Sequence, residues 1–331
     1  MFFKKQVIKI IFLFYIGILV KNIDISFITI NYNSSSFTIK LIESIISQTK
    51  DLNFEIIVVD NASEKEDFST LKNFTKNISN LKLIENNINS GFASGNMLGV
   101  NYVSGKYYFF INNDCLLLNN TAGILKNFLD NNDDVALVTA KVLDDKKNFS
   151  SSYKQFPHVL KQLFGNSIQR FFSKNKFPSN KIKLNKNSQV EVISGSCMFF
   201  RADIFCDIGG FDTIFFLYCE EEDISKKVWD IGKKVYFIPE AEVYHKSGGS
   251  TSQNILMERE FYISYYHLLN KHFNVFERVL LKIALFFKLF FRVFKKKNGL
   301  AIFLSMLKGF PKKESLRYKQ KLIKKEENNV I

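Results

Sequence analysis

The sequence predicts an α/β fold in which a mostly parallel central sheet is flanked by helices. Over the first third of the chain, short β-branched and aromatic runs alternate with helix-length segments, the pattern of parallel strands joined by helical crossovers. Polar residues directly follow several of these runs, as expected where parallel strands end at a ligand-binding edge. A length of 331 residues with 46% apolar content allows one large domain with an appendage.

The first strands and helices are predicted from apolar runs and from the capping and turn residues that separate them. Ser34 to Ser36 are suited to cap a helix that continues to Ser47. A second helix is expected from Gly91 to Val103. The strands predicted around these helices are 25–30, 54–59, 81–85 and 106–111.

The middle of the chain is less regular. Residues 146–187 are rich in Lys, Asn, Ser and Phe, and we expect them to form a mobile excursion over the sheet edge. A strand is predicted from Val190 to Arg201, with an interruption at Gly195 where a ligand or another backbone approaches.

An acidic run at residues 220–223 stands out in a chain of net charge +14. Acids in a first helical turn complement the helix dipole, so capping alone is one explanation. Ile224, Val228 and Ile231 follow as an apolar stripe that ends at Gly232. Since consecutive helical residues diverge by about 100°, at most two of the four acids can address one site.

Both ends of the chain are predicted to associate with membranes. The apolar stretch within residues 1–22 is short for a spanning helix and lacks a cleavage site, which favours an interfacial anchor. Residues 274–331 carry fifteen Lys and Arg against four Glu, a net charge of +11. Their FERVLLKIALFFKLFFRVF segment is typical of a basic amphipathic helix on an anionic membrane surface. Because the remainder is near neutral, we expect no nucleic-acid partner.

Common nucleotide fingerprints are absent from the sequence, which contains neither GxGxxG after the first strand nor GxxxxGK[ST]. The four cysteines lack CxxC or zinc spacing, which favours a reduced, cytoplasmic location. A nucleotide site in this chain is therefore expected to use side chains and a metal.

Eight short motifs follow one another along the chain: ITINYN (28–33), VVDNAS (58–63), NSGFASGN (89–96), INND (111–114), GSCM (195–198), GGFD (209–212), FLYCEEED (216–223) and PEAEVYH (239–245). In this order they resemble the motifs of family 2 glycosyltransferases of the type that builds bacterial surface polysaccharides, including rhamnosyltransferases. The resemblance covers about residues 24–273 and implies a GT-A fold, with a catalytic domain at 23–273 and a basic tail at 274–331.

The resemblance also implies roles for individual residues. Tyr32 is similar to the residue that packs on the nucleotide base, and Asp60 to the carboxylate that accepts a pyrimidine imide N–H. Asp114 occupies the last position of the metal-binding Asp-x-Asp motif, and Mg²⁺ or Mn²⁺ suits such an oxygen site. His245 resembles a further metal or phosphate contact. The remaining residues expected to bind the nucleotide sugar are Asn31, Asn89, Gly91, Asn96 and Asn113, in addition to Asp114 itself.

Glu221 matches the family's general base, although relatives usually place Asp there, and Asp223 is the second candidate. A base at this point removes the acceptor hydroxyl proton as the oxygen attacks the anomeric carbon. Crowding among these acids is expected to raise the pKa of at least one carboxyl group.

The resemblance implies an inverting, non-processive, metal-dependent transferase. Its donor is expected to be a UDP- or dTDP-sugar and its acceptor a saccharide or lipid-linked saccharide in surface polysaccharide synthesis. The expected location is the cytoplasm, peripherally on the inner face of the membrane. The alternative is a catalytically impaired GT-A protein that binds sugar nucleotides or assists assembly, because Asn112 and Glu221 both depart from the family pattern.

Overall fold

The computed structural model describes residues 22–150, 152–159, 184–246 and 254–322. The predicted N-terminal anchor at 1–22 lies almost entirely outside the described residues. Much of the predicted excursion at 146–187 also lies outside them.

Strands and helices alternate along the first half of the chain. The strands are β1 Ile25–Asn31, β2 Phe54–Asn61, β3 Leu81–Asn86, β4 Tyr107–Ile111, β5 Cys115–Leu117, β6 Val135–Leu143, β7 Tyr153–Lys154, β8 Ser188–Gln189, β9 Val192–Ile193, β10 Cys197–Arg201 and β11 Lys234–His245. The α-helices are α1 Ser35–Gln48, α2 Lys65–Thr75, α3 Gly91–Val100, α4 Thr121–Asp130, α5 Ala202–Asp207, α6 Glu220–Asp230, α7 Ile255–His272, α8 Val275–Val293 and α9 Gly299–Leu307. Two 3-10 turns follow, at Lys312–Glu314 and Leu316–Lys319.

The central sheet has the strand order β3-β2-β1-β4-β10-β6-β11-β5, with β8 paired to β11. The four strands β3, β2, β1 and β4 run parallel, and β10 then pairs antiparallel with both β4 and β6. The α/β class is therefore confirmed, with a parallel half that carries the polar strand ends and a mixed half beyond it. The short strands β7 and β9 form a separate two-stranded sheet.

Helices cover both faces of the central sheet, and each face has its own apolar core. Side chains alternate along a strand, so Phe109 of β4 packs in one core and its neighbour Phe110 in the other. Phe27 and Phe109 stack at 5.2 Å, while Phe110 and Phe205 meet at 4.9 Å. Burial on both faces explains why the central strands consist of nearly continuous apolar residues.

The interruption predicted at Gly195 is confirmed, because the chain turns there and the strands on either side, β9 and β10, belong to different sheets. One prediction about the acidic helix is wrong. The apolar stripe of α6 buries Ile224 and Val228 but not Ile231, which is half exposed just beyond the last helical turn.

The basic amphipathic helix predicted near the C-terminus is α8. Part of its cationic side contacts the domain: Arg292 pairs with Glu258 of α7, and Lys282 donates to Asn270 at 2.9 Å. Its outward side instead exposes aromatic residues, among them Phe287 at 52% and Phe291 at 57%. Within the described parts of the chain, no helix combines the length and apolar character that a bilayer crossing requires.

Candidate active site

Asn31 organises the ends of β1 and β2. The parallel register places Asn31 beside Asp60, and the Asn31 side-chain amide donates to Asp60 Oδ1 at 2.8 Å. The same amide donates to Asp67 at 2.8 Å, while its oxygen accepts from Thr38 at 2.7 Å. Ser63 N–H donates to Asp60 Oδ2 at 3.0 Å. Burial raises the pKa of Asp60, although these hydrogen bonds oppose the rise.

A cavity of about 420 Å³ opens beyond these strand ends. That volume is within the range of small-ligand sites. Five of the residues predicted to bind a nucleotide sugar line it: Tyr32, Asn89, Gly91, Asn96 and Asn113. Tyr32 is 42% exposed, so its ring is free to pack against a base. The other three predicted residues, Asn31, Asp60 and Asp114, are buried and do not belong to the lining. Asn31 instead positions Asp60 through its hydrogen bond.

Gly91 begins α3 in the left-handed region, with a φ of 80°. A Cβ at this position would collide with the Phe216 carbonyl oxygen, which accepts a hydrogen bond from Phe92 N–H at 2.7 Å. Glycine is therefore required here by both backbone conformation and close approach. The contact joins the motif at 89–96 to the segment that leads into the acids.

Asp114 lies in the turn between β4 and β5, and the antiparallel pairing of β5 with β11 sets His245 opposite Cys115. The register brings His245 Nε2 to 3.1 Å from Asp114 Oδ1. Cys115 Sγ belongs to the same cluster, in which one ligand atom from each residue lies within 4.8 Å of the others. The two predicted metal residues are thus neighbours, and a thiol adjoins them.

The donor set fits a divalent cation. Asp114 Oδ1 is buried and has no hydrogen-bond partner among the described residues, despite the nearby imidazole. An unsatisfied buried carboxylate oxygen is costly unless a ligand completes it. Carboxylate and imidazole together suit a divalent metal. Burial raises the pKa of the Cys115 thiol well above its usual value, which keeps the thiol protonated and leaves Asp114 and His245 as the candidate ligands.

The acids of α6 occupy different environments, as their angular spread predicts. Glu221 remains 17% exposed, and Lys154 Nζ lies 2.8 Å from its Oε1 and 2.5 Å from Glu222 Oε1. A Cβ built on Gly195 would be 3.7 Å from the carboxyl carbon of Glu221, so this carboxylate lies against the turn before β10. Glu220 is buried, with Oε1 unpartnered among the described residues.

The predicted pKa rise falls on the neighbours of Glu221. Burial raises the pKa of Glu220 well above its usual value, and the charge of Glu221 adds to the rise. Burial would also raise the pKa of Glu221, but the Lys154 ammonium outweighs it and the pKa is lowered. Glu221 is therefore ionised at neutral pH and available to accept a proton.

Asp223, the second candidate base, has a different environment. It is buried with 1% of its side chain exposed, and it contacts His272 Nε2 at 2.6 Å and Lys271 Nζ at 2.7 Å. Lys227 lies 3.6 Å away. Burial would raise its pKa, but the bonds to His272 and Lys271 lower it. These contacts join α6 to the end of α7, which favours a structural role for Asp223.

Sequence reasoning missed several residues of this region. No sequence pattern indicates Lys154, because it lies in a lysine-rich stretch. Cys115 directly follows Asp114, but its spacing from the other cysteines matches no zinc or redox motif. The cavity also has a wall from the C-terminal part of the chain, which no short motif indicates. The residues of this wall are Asn254, Met257, Leu316 and Gln320.

These features define a GT-A glycosyltransferase: a parallel sheet half whose strand ends face a nucleotide-sized cavity, a metal-suited turn and an acidic helix. The model of glycosyl transferase family 2 matches residues 26–209. The chain therefore belongs to this family of glycosyltransferases, as the sequence predicted.

Known proteins resemble the chain over different extents. It is 27% identical over 229 residues to rhamnosyltransferase WbbL of Escherichia coli K12, covering 66% of this chain and 81% of WbbL. It is 36% identical over 62 residues to an N-acetylglucosaminyl-diphospho-decaprenol L-rhamnosyltransferase of Mycobacterium tuberculosis H37Rv. That match covers 19% of this chain and only 20% of the relative.

Two solved structures show the same fold. GalNAc-T7 with UDP, GalNAc and Mn²⁺ superposes with a TM-score of 0.55 at 15% identity, over 74% of this chain and 48% of that one. Residues 1–349 of S. aureus TarS with UDP superpose with a TM-score of 0.51 at 17% identity, over 83% of this chain and 73% of that one.

Substitution of Asp223 by Asn tests its structural role. We expect the variant to lose about 3 kcal/mol of unfolding free energy, because buried cations lose their partner. The matched change Asp230→Asn breaks an exposed pair with Lys226 and should cost less than about 1 kcal/mol. Urea denaturation of both variants at neutral pH measures the difference.

The unfolding free energies of wild type and Asp223→Asn should also differ in their dependence on pH. A lowered folded-state pKa means that Asp223 stabilises the protein above about pH 4. This contribution is lost as the pH falls through the still lower folded-state value. Wild-type stability should therefore fall more steeply with acid than that of Asp223→Asn. Equal stability of the two Asn variants would contradict the structural role.

Proposed function

We propose that this glycosyltransferase moves a sugar, with inversion, from a UDP- or dTDP-sugar to a saccharide or lipid-linked saccharide for surface polysaccharide synthesis. One observation carries the proposal: the metal-suited turn and the candidate base meet at the same backbone turn. Ser196 C=O accepts from Asn112 N–H at 3.1 Å and from Cys115 Sγ at 3.5 Å. Gly195, the preceding residue, lies against the Glu221 carboxylate.

The donor is expected to occupy the cavity of about 420 Å³. Tyr32 offers its exposed ring to the base. Asp60 lies buried behind the lining with its oxygens bonded to Asn31 and Ser63, so base recognition is assigned to Tyr32. The solved relatives contain UDP, and the E. coli relative is named a rhamnosyltransferase. These names support a donor that consists of a pyrimidine nucleotide joined to a deoxyhexose or a hexose.

Asp114 and His245 would hold Mg²⁺ or Mn²⁺ on the diphosphate. When bound, the cation neutralises charge that gathers on the departing nucleoside diphosphate. The solved GalNAc-T7 contains Mn²⁺.

Glu221 is the proposed general base. The acceptor hydroxyl oxygen forms a bond to the anomeric carbon as the bond from that carbon to the phosphate oxygen breaks, and Glu221 takes the hydroxyl proton. Attack from the side opposite the leaving group inverts the anomeric configuration. Lys154 contacts Glu222 as well as Glu221, so its charge stays paired after Glu221 is protonated.

Replacement of Asp114 by Ala should lower transfer at least about 100-fold, because the leaving diphosphate loses charge compensation worth several kcal/mol. The variant should also lose Mn²⁺-dependent binding of UDP. Calorimetry and a donor screen of UDP-, dTDP- and GDP-sugars measure both effects. Asp203→Ala, an exposed acid on α5, is the control and should change neither. Unchanged turnover in Asp114→Ala would remove this residue from the site.

Replacement of Glu221 by Gln should abolish transfer while UDP binding with Mn²⁺ persists, since only the proton acceptor is lost. In the wild type, the lowered pKa of Glu221 keeps activity high until the pH falls below the usual range near 4. Lys154→Met should shift this acid limb to higher pH. Initial rates between pH 4 and 8 report the shift. If Asp223→Asn abolishes transfer instead, while stability is unchanged, the base is Asp223.

We also propose that α8 and α9 hold the enzyme on the inner face of an anionic membrane. The outward side of α8 exposes Phe287 and Phe291, and residues 295–297 add three exposed lysines at its end. Aromatic residues beside a basic cluster are typical of interfacial helices.

Vesicle sedimentation tests the membrane proposal. The double change Phe287→Glu and Phe291→Glu should lower binding to vesicles of 30% phosphatidylglycerol at least about tenfold, because buried apolar area is replaced by repelled charge. Ile46→Glu, an equally exposed change on α1, is the control and should bind like the wild type. Equal binding of all three proteins would show that α8 does not face the membrane.

A further inference from the structure

A second cavity of about 420 Å³ adjoins the donor cavity. Asn254 and Met257 line both cavities, so the two cavities are neighbours. The second cavity is otherwise bounded by the segment before α6 and by the helices α7 and α8. The wall residues that carry its chemistry are Tyr218, Glu258, Phe261 and Arg292.

The second cavity borders the segment that leads into the acidic helix, because Tyr218 lines it and only Cys219 separates Tyr218 from Glu220. Tyr218 and Cys219 both take left-handed backbone conformations, with φ of 73° and 68°, directly before Glu220 begins α6. This strained bend directs the chain from the cavity wall into the acidic helix.

The lining matches the surface of a neutral sugar ring. Tyr218 and Phe261 meet edge to face at 5.8 Å, and the electron-rich face of such a ring attracts the C–H face of a pyranose. Arg292 and Glu258 form an ion pair in the same wall. Guanidinium, carboxylate and the Asn254 amide are planar groups that hydrogen-bond neighbouring hydroxyls in pairs.

Charge distinguishes this cavity from a third one of about 510 Å³ between α7 and the 3-10 turns. The second cavity contains one acid and one cation, so its lining is neutral overall. The third cavity contains Lys312 and Arg317, and its single acid, Glu260, already accepts from Ser315 Oγ and Leu316 N–H. A phosphate would prefer the third cavity, whereas an uncharged saccharide suits the second.

We infer that the second cavity is the acceptor subsite and binds a neutral pyranose through Tyr218, Phe261 and Arg292. The inference rests on the proposed transfer reaction, because it places the accepting sugar in the cavity that adjoins the donor cavity. Arg292 belongs to α8, whose opposite side is exposed and aromatic. The same helix thus contacts the acceptor sugar and faces outward, which accommodates either a lipid-linked or a free saccharide.

Saturation-transfer NMR on the full chain tests the subsite without turnover. The probes are octyl glycosides of glucose, N-acetylglucosamine and rhamnose, observed at their ring protons, and the methyl glycosides of the same sugars. Phe261→Ala should weaken binding of the preferred octyl glycoside at least about fivefold, and Arg292→Lys should do the same because it removes paired hydrogen bonds. UDP binding should be unchanged in both. Tyr318→Ala, an exposed residue of the third cavity, is the control and should bind normally.

Each outcome separates the hypotheses. Equal binding of octyl and methyl glycosides indicates a free saccharide, whereas binding of octyl glycosides alone indicates a lipid-linked one. Loss of binding in Tyr318→Ala but not Phe261→Ala, or no ring saturation with any probe, overturns the subsite. If Phe261→Ala weakens binding but no UDP- or dTDP-sugar is turned over, the transfer proposal fails and the saccharide site remains. If Phe261→Ala transfers the sugar with an unchanged acceptor KM, the acceptor-subsite inference is contradicted while the transfer proposal stands.

Discussion

The short turn at Gly195 and Ser196 is the constraint on which the candidate site depends. Its carbonyl accepts hydrogen bonds from the backbone and thiol of the turn that contains Asp114, and its glycine lies against the Glu221 carboxylate. One backbone segment therefore sets the distance between the group that would hold the metal and the group that would take the proton. Such positioning is a main source of catalytic rate.

The acidic helix shows how one run of like charges serves several purposes. Glu221 and Glu222 share the Lys154 ammonium, Glu220 is held in a poorly solvated position, and Asp223 faces the cations at the end of α7. Because the cluster is neutralised from two sides, it can be buried without the full repulsion of four carboxylates. The same division leaves Glu221 ionised and accessible beside Gly195.

The C-terminal part of the chain connects surface and site. Helices α7 and α8 contribute residues to the cavity beside the acids, and Leu316 and Gln320 from the final 3-10 region line the donor cavity. Glu260 of α7 holds this final region through Ser315 and Leu316. The segment predicted as a separate basic tail thus packs back onto the catalytic domain. The exposed phenylalanines and the inward-facing Arg292 lie on opposite sides of the same helix, α8.

The sequence by itself determined the α/β class, the strand ends that bear Asn31, Asp60 and Asp114, and the family, because these depend on local periodicity and on motifs of consecutive residues. It also indicated that the four acids cannot share one site, since helix geometry is local. Only the tertiary structure decided which acid stays accessible, because that depends on Lys154 and Lys271, which come from distant segments. Strand register decided that His245 adjoins Asp114, and helix packing decided which side of α8 is exposed. Such contacts join residues far apart in the chain, so no short pattern records them.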